Sequence, residues 1–195
     1  MSIVVGLKDK DGVCWLACDK QITVGNRRAT MAEGYNKIFD VADRDGCMMG
    51  HVGYLRGINL LETNNTYFDE LAYYRHELDY TYMVNSFVPL VDTLFRDCGF
   101  TDADATVIDL KGETLVVADN EIYEVGADGS IMVIDDYSAI GSGSEMALGS
   151  LSSTGDLDPQ ERLIEAIKAA NQNIYCGCSG IMMNNKDSKF YQFEF

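Results

Sequence analysis

The chain has 195 residues, of which 47% are apolar and 24% charged, and its formal net charge is −16. This length suits a single domain, expected to span residues 1–195, and the composition excludes a fibrous or disordered chain. The excess of acidic side chains argues against nucleic acid or an anionic membrane as a partner. No apolar run is long enough to cross a membrane and no signal segment opens the chain, so a cytoplasmic protein is expected.

The first third of the sequence predicts β-strands. A strand over residues 2–8 leads through the turn Asp9-Lys10-Asp11-Gly12 into a second strand, from Val13 to Asp19, which returns antiparallel. Both faces of this second strand are apolar, so it is expected to be buried on both sides. Further strands are predicted at residues 29–30, 36–42 and 47–52.

The middle of the chain is predicted to be helical. Residues 53–64 and 79–98 carry apolar side chains at a spacing near 3.6 residues. Pro89 lies inside the second stretch, which predicts either a kinked helix or one that begins late. The tyrosine-rich stretch 67–82 has no clear periodicity and is a candidate partner-binding surface.

The second half returns to strands, predicted at residues 105–110, 114–118, 122–125 and 131–134. A strand over 137–143 is expected to run into a helix over 144–153. A second helix is expected to begin at Asp158, a cap residue, followed by a first-turn proline. Strands near 178–184 and 189–194 close the chain. This order predicts an α+β fold, a four-layer αββα sandwich with two stacked sheets between helical layers.

No metal or cofactor is expected from the sequence. The six cysteines, at positions 14, 18, 47, 98, 176 and 178, lack the spacing of a zinc site, and there are only two histidines. Gly141-Ser142-Gly143 lies between a predicted strand and a helix, but the third small residue of a dinucleotide-binding motif is missing. The cysteines are therefore interpreted mainly as small buried apolar residues.

The start of the chain offers a candidate nucleophile. Removal of Met1 would leave Ser2 with a hydroxyl and a free α-amino group on one residue. An α-amino group has an ordinary pKa of about 7.7–8.0, so part of it is neutral near pH 7 and acts as a general base. Such a residue supplies nucleophile and base without a histidine. A Met-Ser start is common, so this feature alone does not establish a catalytic residue.

Five further segments add to the opening strand at residues 2–7. They lie at residues 17–26, 36–38, 49–53, 140–149 and 176–180. Together, and in this order, the six segments resemble those of the proteasome β-subunit and HslV, which are N-terminal nucleophile (Ntn) hydrolases. The resemblance spans nearly the whole chain, although each motif is short.

The resemblance implies the catalytic groups. Ser2 would attack a peptide carbonyl, and its own amine would take the proton. Lys37 would favour the alkoxide, and Asp19 would pair with Lys37 and fix its position. The backbone N–H of Gly53 would stabilise the oxyanion. The alternative interpretation of Asp19 and Lys37 is an ion pair on the protein surface.

The resemblance also implies supporting residues. Ser142 and Ser179 would hydrogen-bond the α-amino group and orient it. Thr23 would hold the substrate backbone as an added strand, for which Gly53 leaves room. Two departures stand out: serine replaces the usual threonine nucleophile, and Cys176 occupies a position that holds aspartate in proteasome subunits.

The leading hypothesis is therefore a proteasome-like peptidase that acts on peptide or protein substrates after Met1 removal. A homo-oligomeric ring is implied, with an ATP-dependent unfoldase as a candidate partner. The alternative is a catalytically inactive proteasome-fold subunit with a structural or assembly role, which is expected if Met1 is retained. A small-molecule amidase on the same fold is a third possibility.

Overall fold

Strands and helices alternate along the chain in blocks. The computed structural model describes residues 2–25, 27–41, 45–64, 78–173, 175–187 and 189–195. The strands in these ranges are β1 Ile3–Lys8, β2 Cys14–Asp19, β3 Gln21–Val24, β4 Arg27–Thr30, β5 Ile38–Asp40, β6 Met48–Gly53, β7 Gly112–Ala118, β8 Glu121–Val125, β9 Ile131–Ile134, β10 Tyr137–Gly141, β11 Ser179–Asn184 and β12 Tyr191–Glu194.

The described helices occur as two pairs, one between β6 and β7 and one between β10 and β11. They are α1 Leu55–Thr63, α2, α3 Ser144–Ser153 and α4 Pro159–Ala170. Helix α2 has three consecutive parts: an α-helical turn Tyr80–Tyr82, a π-helical turn Met83–Phe87 and an α-helical segment Val88–Asp97. Among the described residues, no helix combines the length and the apolar character needed to cross a bilayer. The predicted succession of strands and helix pairs is confirmed.

The wide turn of α2 lies directly before Pro89. The N–H of Val88 bonds to the carbonyl of Met83, five residues back. Pro89 has no N–H to contribute to the helix, and a π-helical turn accommodates such an interruption. Because α2 already begins at Tyr80, the alternative of a late-starting helix is wrong. Residues 67–77, the larger part of the tyrosine-rich stretch 67–82, lie outside the described residues.

The strands form two five-stranded antiparallel sheets and a separate hairpin. The first sheet has the order β10-β1-β2-β11-β12, the second has the order β5-β6-β7-β8-β9, and β3 pairs with β4. Strand β1 is central in the first sheet, where Ile3 is opposite Gly141 and Val4 is opposite Cys18. The start of β1 is therefore held from both sides.

Alternate residues of β1 belong to different apolar clusters. Val4 packs in one cluster with Leu16 of β2 and with Ile38, Met48 and Leu115 of the second sheet. This cluster joins the facing sides of the two sheets. Side chains alternate along a strand, so the neighbours of Val4 point the other way.

Helices cover the outer sides of the two sheets. On the first sheet, Val5 packs with Leu151 of α3 and with Leu163 of α4. On the second sheet, Met49 packs with Leu61 of α1 and with Phe95 of α2, in a separate cluster. Both sheets are apolar on two faces for this reason, as the sequence of β2 predicts.

The prediction of a strand at residues 105–110 is wrong. The guanidinium of Arg96 donates hydrogen bonds to carbonyl groups in this segment and just before it, and these bonds take the place of a strand ladder. These carbonyls belong to Asp102, Ala103, Ala105 and Val107. Strand β7 begins only at Gly112.

Two smaller differences concern polar segments. Strand β3 was missed, because residues 21–24 and 27–30 are exposed or half-buried and show no strong apolar alternation. Asp158 does occupy the N-cap of α4, with a proline in the first turn, but its side chain makes no capping hydrogen bond. The predicted cap residue is therefore at the expected position, but its side chain does not form the hydrogen bond of a helix cap.

The close approach of the two sheets predicts opposite effects for two glycine substitutions. In Gly50→Ala the new Cβ would lie 2.6 Å from Val4 Cγ1 and 2.9 Å from Ile38 Cγ2. We expect a loss of about 1–3 kcal/mol in the free energy of unfolding. Gly149→Ala places its Cβ in open space within α3, so we expect a gain of about 0.5–1 kcal/mol. Urea unfolding measures both, and effects of the same sign would contradict the packing described.

Candidate active site

The start of β1 is anchored on both sides of its backbone. Ser2 is only 5% exposed, and its carbonyl accepts a hydrogen bond of 2.9 Å from the N–H of Ser142. The N–H of Ile3 donates to Asp19 Oδ1 at 3.1 Å. Residue 2 therefore has a fixed backbone position at the end of a central strand.

Asp19 lies at the end of β2 and is completely buried. Oδ1 accepts hydrogen bonds from Ile3 N and Lys37 Nζ, and Oδ2 accepts from Gln21 N at 3.1 Å and Gly177 N at 2.9 Å. Four donors thus surround one carboxylate. This satisfies the requirement that a buried charge be both paired and hydrogen-bonded.

Lys37 precedes β5 and is 1% exposed. Its Nζ donates to Asp19 Oδ1 at 2.6 Å and to the carbonyl of Gln21 at 2.6 Å. Because Lys37 Nζ and the N–H of Ile3 share one carboxylate oxygen, the ammonium lies beside the start of β1. The ion pair is buried and is not a surface contact.

Four of the predicted site residues line one cavity of about 920 Å³. They are Ser2, Thr23, Lys37 and Gly53. The remaining lining is largely apolar and comprises Ile22, Val24, Gly25, Tyr54, Leu55, Arg56, Ile58 and Phe100. A cavity of this size accommodates a large side chain, and its apolar walls favour a hydrophobic one.

Gly53 ends β6 at the cavity wall with a φ of +144°. A Cβ at this position would lie 2.4 Å from the carbonyl oxygen of Lys111. Any other residue would therefore be both strained and in collision. The backbone reaches the cavity here without a side chain, which leaves room for a bound chain.

Ser142 reaches the site through its backbone. Besides donating to Ser2, it accepts a hydrogen bond of 2.6 Å at its own carbonyl from Asn173 Nδ2. The preceding Gly141 has a φ of +100°, and a Cβ there would lie 2.2 Å from the Ser2 carbonyl oxygen. This junction therefore packs directly against the start of β1.

Ser179 is less closely connected. It begins β11, and its carbonyl accepts a hydrogen bond of 2.9 Å from Lys20 N. The next residue, Gly180, pairs with Asp19. The described residues show no hydrogen bond between Ser179 and Ser2, and Ser179 is not among the residues that line the cavity. The structure thus brings six of the seven predicted residues together and places Ser179 beside them.

Two backbone contributors were not identified from the sequence. Gln21 supplies a carbonyl to Lys37 and an N–H to Asp19, and Gly177 supplies a second N–H to Asp19. Backbone groups are the same in every residue, so composition gives no signal for them. Asn173 was also missed, although a polar residue at the end of an amphipathic helix is a weak signal for a cap or a bridge.

The thiol of Cys176 lies behind the site and is 2% exposed. Burial raises its pKa to about 12, and the neighbouring charge of Asp19 raises it further than Lys37 lowers it. The group is therefore a neutral thiol near pH 7 and is no rival nucleophile. Among the described residues, no group of three His, Cys, Asp or Glu side chains is placed to hold a metal ion.

His51 is fully buried on β6, two residues before Gly53. Its Nδ1 contacts Thr114 Oγ1 at 2.9 Å, while Nε2 has no hydrogen-bond partner among the described residues. Burial lowers the pKa of the imidazole from 6.5 to about 4. His51 is therefore a core histidine with one of its two ring nitrogens hydrogen-bonded within the described residues. The other histidine, residue 76, lies outside the described residues.

Comparisons with known proteins identify the fold. No protein-family model matches the sequence, and no curated protein matches it. Among solved structures, Thiobacillus denitrificans BPH matches with a TM-score of 0.70 and 18% identity, over 98% of this chain and 97% of that chain. The same protein in complex with epoxomicin gives a TM-score of 0.69 and 18% identity, over 98% of both chains. Eukaryotic HslV from Trypanosoma brucei gives 0.64 and 18%, over 93% of this chain and 98% of that chain.

These matches span nearly the full length of the chain. The protein therefore has the mixed α/β fold of HslV, as the sequence resemblance implies. At 18% identity the likeness establishes the fold and not the activity. The chemistry must be argued from the residues in the site.

The buried ion pair predicts a large loss of stability in Asp19→Asn. The asparagine amide is nearly the same size but carries no charge, so the buried Lys37 would lose its ion-pair partner. We expect the free energy of unfolding to fall by about 3–5 kcal/mol. Asp109→Asn is the matched control, because Asp109 forms a partly exposed pair with Lys111 and should cost less than about 1 kcal/mol. Equal losses in the two variants, measured by urea unfolding, would contradict this description.

Because His51 is buried, we expect the free energy of unfolding to decrease in acid. Its pKa is lower in the folded state than in the unfolded chain, so the unfolded state binds the extra proton first as the pH falls below about 6.5. Stability should therefore decrease between about pH 6.5 and pH 4, by about 3 kcal/mol in total. The free energy of unfolding of wild type and His51→Gln, measured at several pH values, tests this. Parallel profiles would show that His51 does not titrate in this way.

Proposed function

We propose that this chain is a proteasome-like peptidase that hydrolyses peptide bonds with Ser2 as an N-terminal nucleophile. The observation that carries the proposal is the position of Ser2. It lines a largely apolar cavity together with the buried Lys37, whose ammonium is held by Asp19 beside the start of β1. The fold shared with HslV supports the same conclusion.

The chemistry begins with removal of Met1, which frees the α-amino group of Ser2. That amine takes the proton of the Ser2 hydroxyl, and Oγ attacks the carbonyl carbon of the peptide bond. The departing amine leaves with the proton, and an ester to Ser2 remains. A water molecule then attacks the ester, with the α-amine again acting as base, and restores the hydroxyl.

The neighbouring residues stabilise the charges that form. Lys37, which lines the same cavity as Ser2, favours the alkoxide of Ser2, and Asp19 holds the ammonium in place. The N–H of Gly53 serves the oxyanion, where one such donor typically contributes about 10²–10³ in rate. Ser142 fixes the backbone of Ser2, and we retain Ser179 as a residue that orients the amine after Met1 is removed.

The substrate is a peptide or an unfolded protein segment. Thr23 lies on β3 at the cavity, so an extended chain bound along β3 would pass Ser2 with its side chain in the cavity. Main-chain hydrogen bonds from such a strand give affinity without sequence selection. The apolar lining then selects a hydrophobic side chain next to the cleaved bond.

The architecture that we propose is a single domain over residues 1–195 with the four-layer αββα arrangement of Ntn hydrolases. Its support is the set of three apolar clusters, one joining the sheets and one between each sheet and its helices. We further propose a cytoplasmic homo-oligomeric ring, with an ATP-dependent unfoldase as partner. The mass of the native assembly in solution tests the ring.

Covalent labelling tests the proposed nucleophile. A peptide epoxyketone offers a ketone carbon for the Ser2 hydroxyl and an epoxide carbon for the α-amine, so stable attachment requires both groups on one residue. We expect intact-mass measurement to show a chain that lacks Met1 and carries one probe molecule. Ser2→Ala should lose both the label and the peptidase activity, and Ser152→Ala, on the exposed surface of α3, should keep both.

The result also separates the two candidate functions. A chain that retains Met1, takes up no probe and cleaves no fluorogenic peptide would be the inactive proteasome-fold subunit with an assembly role. Cleavage by a free protomer without a ring would instead indicate a small-molecule amidase.

A further inference from the structure

The arginines of the described residues fall into two groups. Arg96 pairs with Asp92 at 2.7 Å, and Arg162 pairs with Asp136 at 3.8 Å. The other three have no carboxylate within ion-pair distance among the described residues, and they are Arg27, Arg28 and Arg56. In a chain with 31 acidic and 15 basic residues, a carboxylate partner is the expected arrangement for an arginine.

Arg56 belongs to the lining of the cavity. Its Nη2 donates to the carbonyl of Cys98 at 2.7 Å, which uses one of five guanidinium N–H groups and limits the freedom of the side chain. Arg56 lies in the first turn of α1, where the helix dipole already produces a positive potential. A positive side chain in this turn does not stabilise α1, so helix stability does not account for an arginine at position 56.

Arg27 and Arg28 lie on β4, next to β3 residues of the cavity lining. Arg27 is opposite Val24 and Arg28 is opposite Thr23, and both of these β3 residues line the cavity. Directly opposed residues share one face of an antiparallel pair, and consecutive residues of a strand face opposite sides, so one of the two arginines is on the cavity side of the hairpin. We call Arg27, Arg28 and Arg56 the arginine rim.

The arginine rim gives the cavity a positive charge. The ammonium of Lys37 is neutralised by Asp19 within the ion pair, and the lining residues that the structure describes include no aspartate or glutamate. Guanidinium groups bind carboxylates through paired N–H donors, which makes a peptide carboxylate a suitable partner. An apolar wall and a cationic rim are thus found in one site.

We propose that the arginine rim selects peptides that carry aspartate or glutamate close to the cleaved bond, because Arg56 and Ser2 line the same cavity. The proposal rests on the peptidase function described above and names its substrate class. The hydrophobic side chain enters the cavity, and the carboxylate beside it binds Arg56 together with Arg27 or Arg28.

Matched peptides test the rim. Two fluorogenic peptides differ only by Glu or Gln next to the hydrophobic residue, so they have the same shape and differ by one charge. We expect wild type to cleave the Glu peptide about three- to tenfold better in kcat/KM, the size of a partly exposed charge-assisted contact. This ratio should fall towards one in Arg56→Gln and be largely retained in Arg56→Lys.

Lys10→Gln is the control for net charge. Lys10 is exposed in the turn between β1 and β2, at the opposite end of β1 from Ser2, so the ratio should match that of wild type. All measurements use one ionic strength, because salt weakens the attraction to the rim and the repulsion by the acidic surface together. A ratio of one in wild type, or the same ratio in wild type and Arg56→Gln, would overturn the proposal.

Binding separates this proposal from the proposed activity. Fluorescence anisotropy of the same two peptides with Ser2→Ala measures selection without cleavage. Tighter binding of the Glu peptide, lost on adding Arg56→Gln, supports the rim even if wild type cleaves neither peptide, in which case only the peptidase proposal fails. Equal binding of both peptides overturns the rim whether or not wild type is active.

Discussion

The ion pair between Asp19 and Lys37 is excluded from water, and the geometry of the site depends on it. Removing two charges from water costs several kcal/mol per ion, and only close contact with further hydrogen bonds offsets that cost. The carboxylate obtains these bonds from Ile3, Gln21 and Gly177, in three separate parts of the chain. The first strand, the β3–β4 hairpin, the segment before β5 and the loop before β11 therefore meet at one side chain. A displacement of any of them would expose or unpair a charge.

The same close packing explains why glycine main chain, without side chains, lies around Ser2. The carbonyl of Ser2 leaves no room for a Cβ on Gly141, and the carbonyl of Lys111 leaves none on Gly53. Both glycines have positive φ values, which other residues adopt at a cost. The site thus combines the hydroxyl-bearing Ser2, one buried ammonium and several closely packed main-chain segments. Such a site is rigid before a substrate binds, which lowers the entropy that binding must offset.

Sequence reasoning succeeded where burial controls the pattern and failed where polar contacts control it. Strand β2 is apolar on both faces because it packs between a sheet and a helix layer, so its sequence identifies it directly. Residues 105–110 have strand-like composition, but Arg96 binds carbonyls of that region. Asp19 and Lys37 were found through the short motifs that resemble those of HslV. Gln21 and Gly177 were missed because they act through main-chain groups, whose direction depends on the fold.

Electrostatics links the site to the surface of the protein. The net charge of −16 repels an acidic chain all over the surface, whereas the proposed arginine rim attracts a carboxylate at one place, and both effects decay over the Debye length of about 8 Å. The two effects act at different stages: the surface acts on encounter and the rim acts on the bound chain. A peptide with many carboxylates is therefore slowed on approach, and a peptide with one carboxylate near its hydrophobic residue gains from the rim at little such cost. In the peptidase that we propose, local charge placement, more than overall charge, then determines which peptide segments reach Ser2.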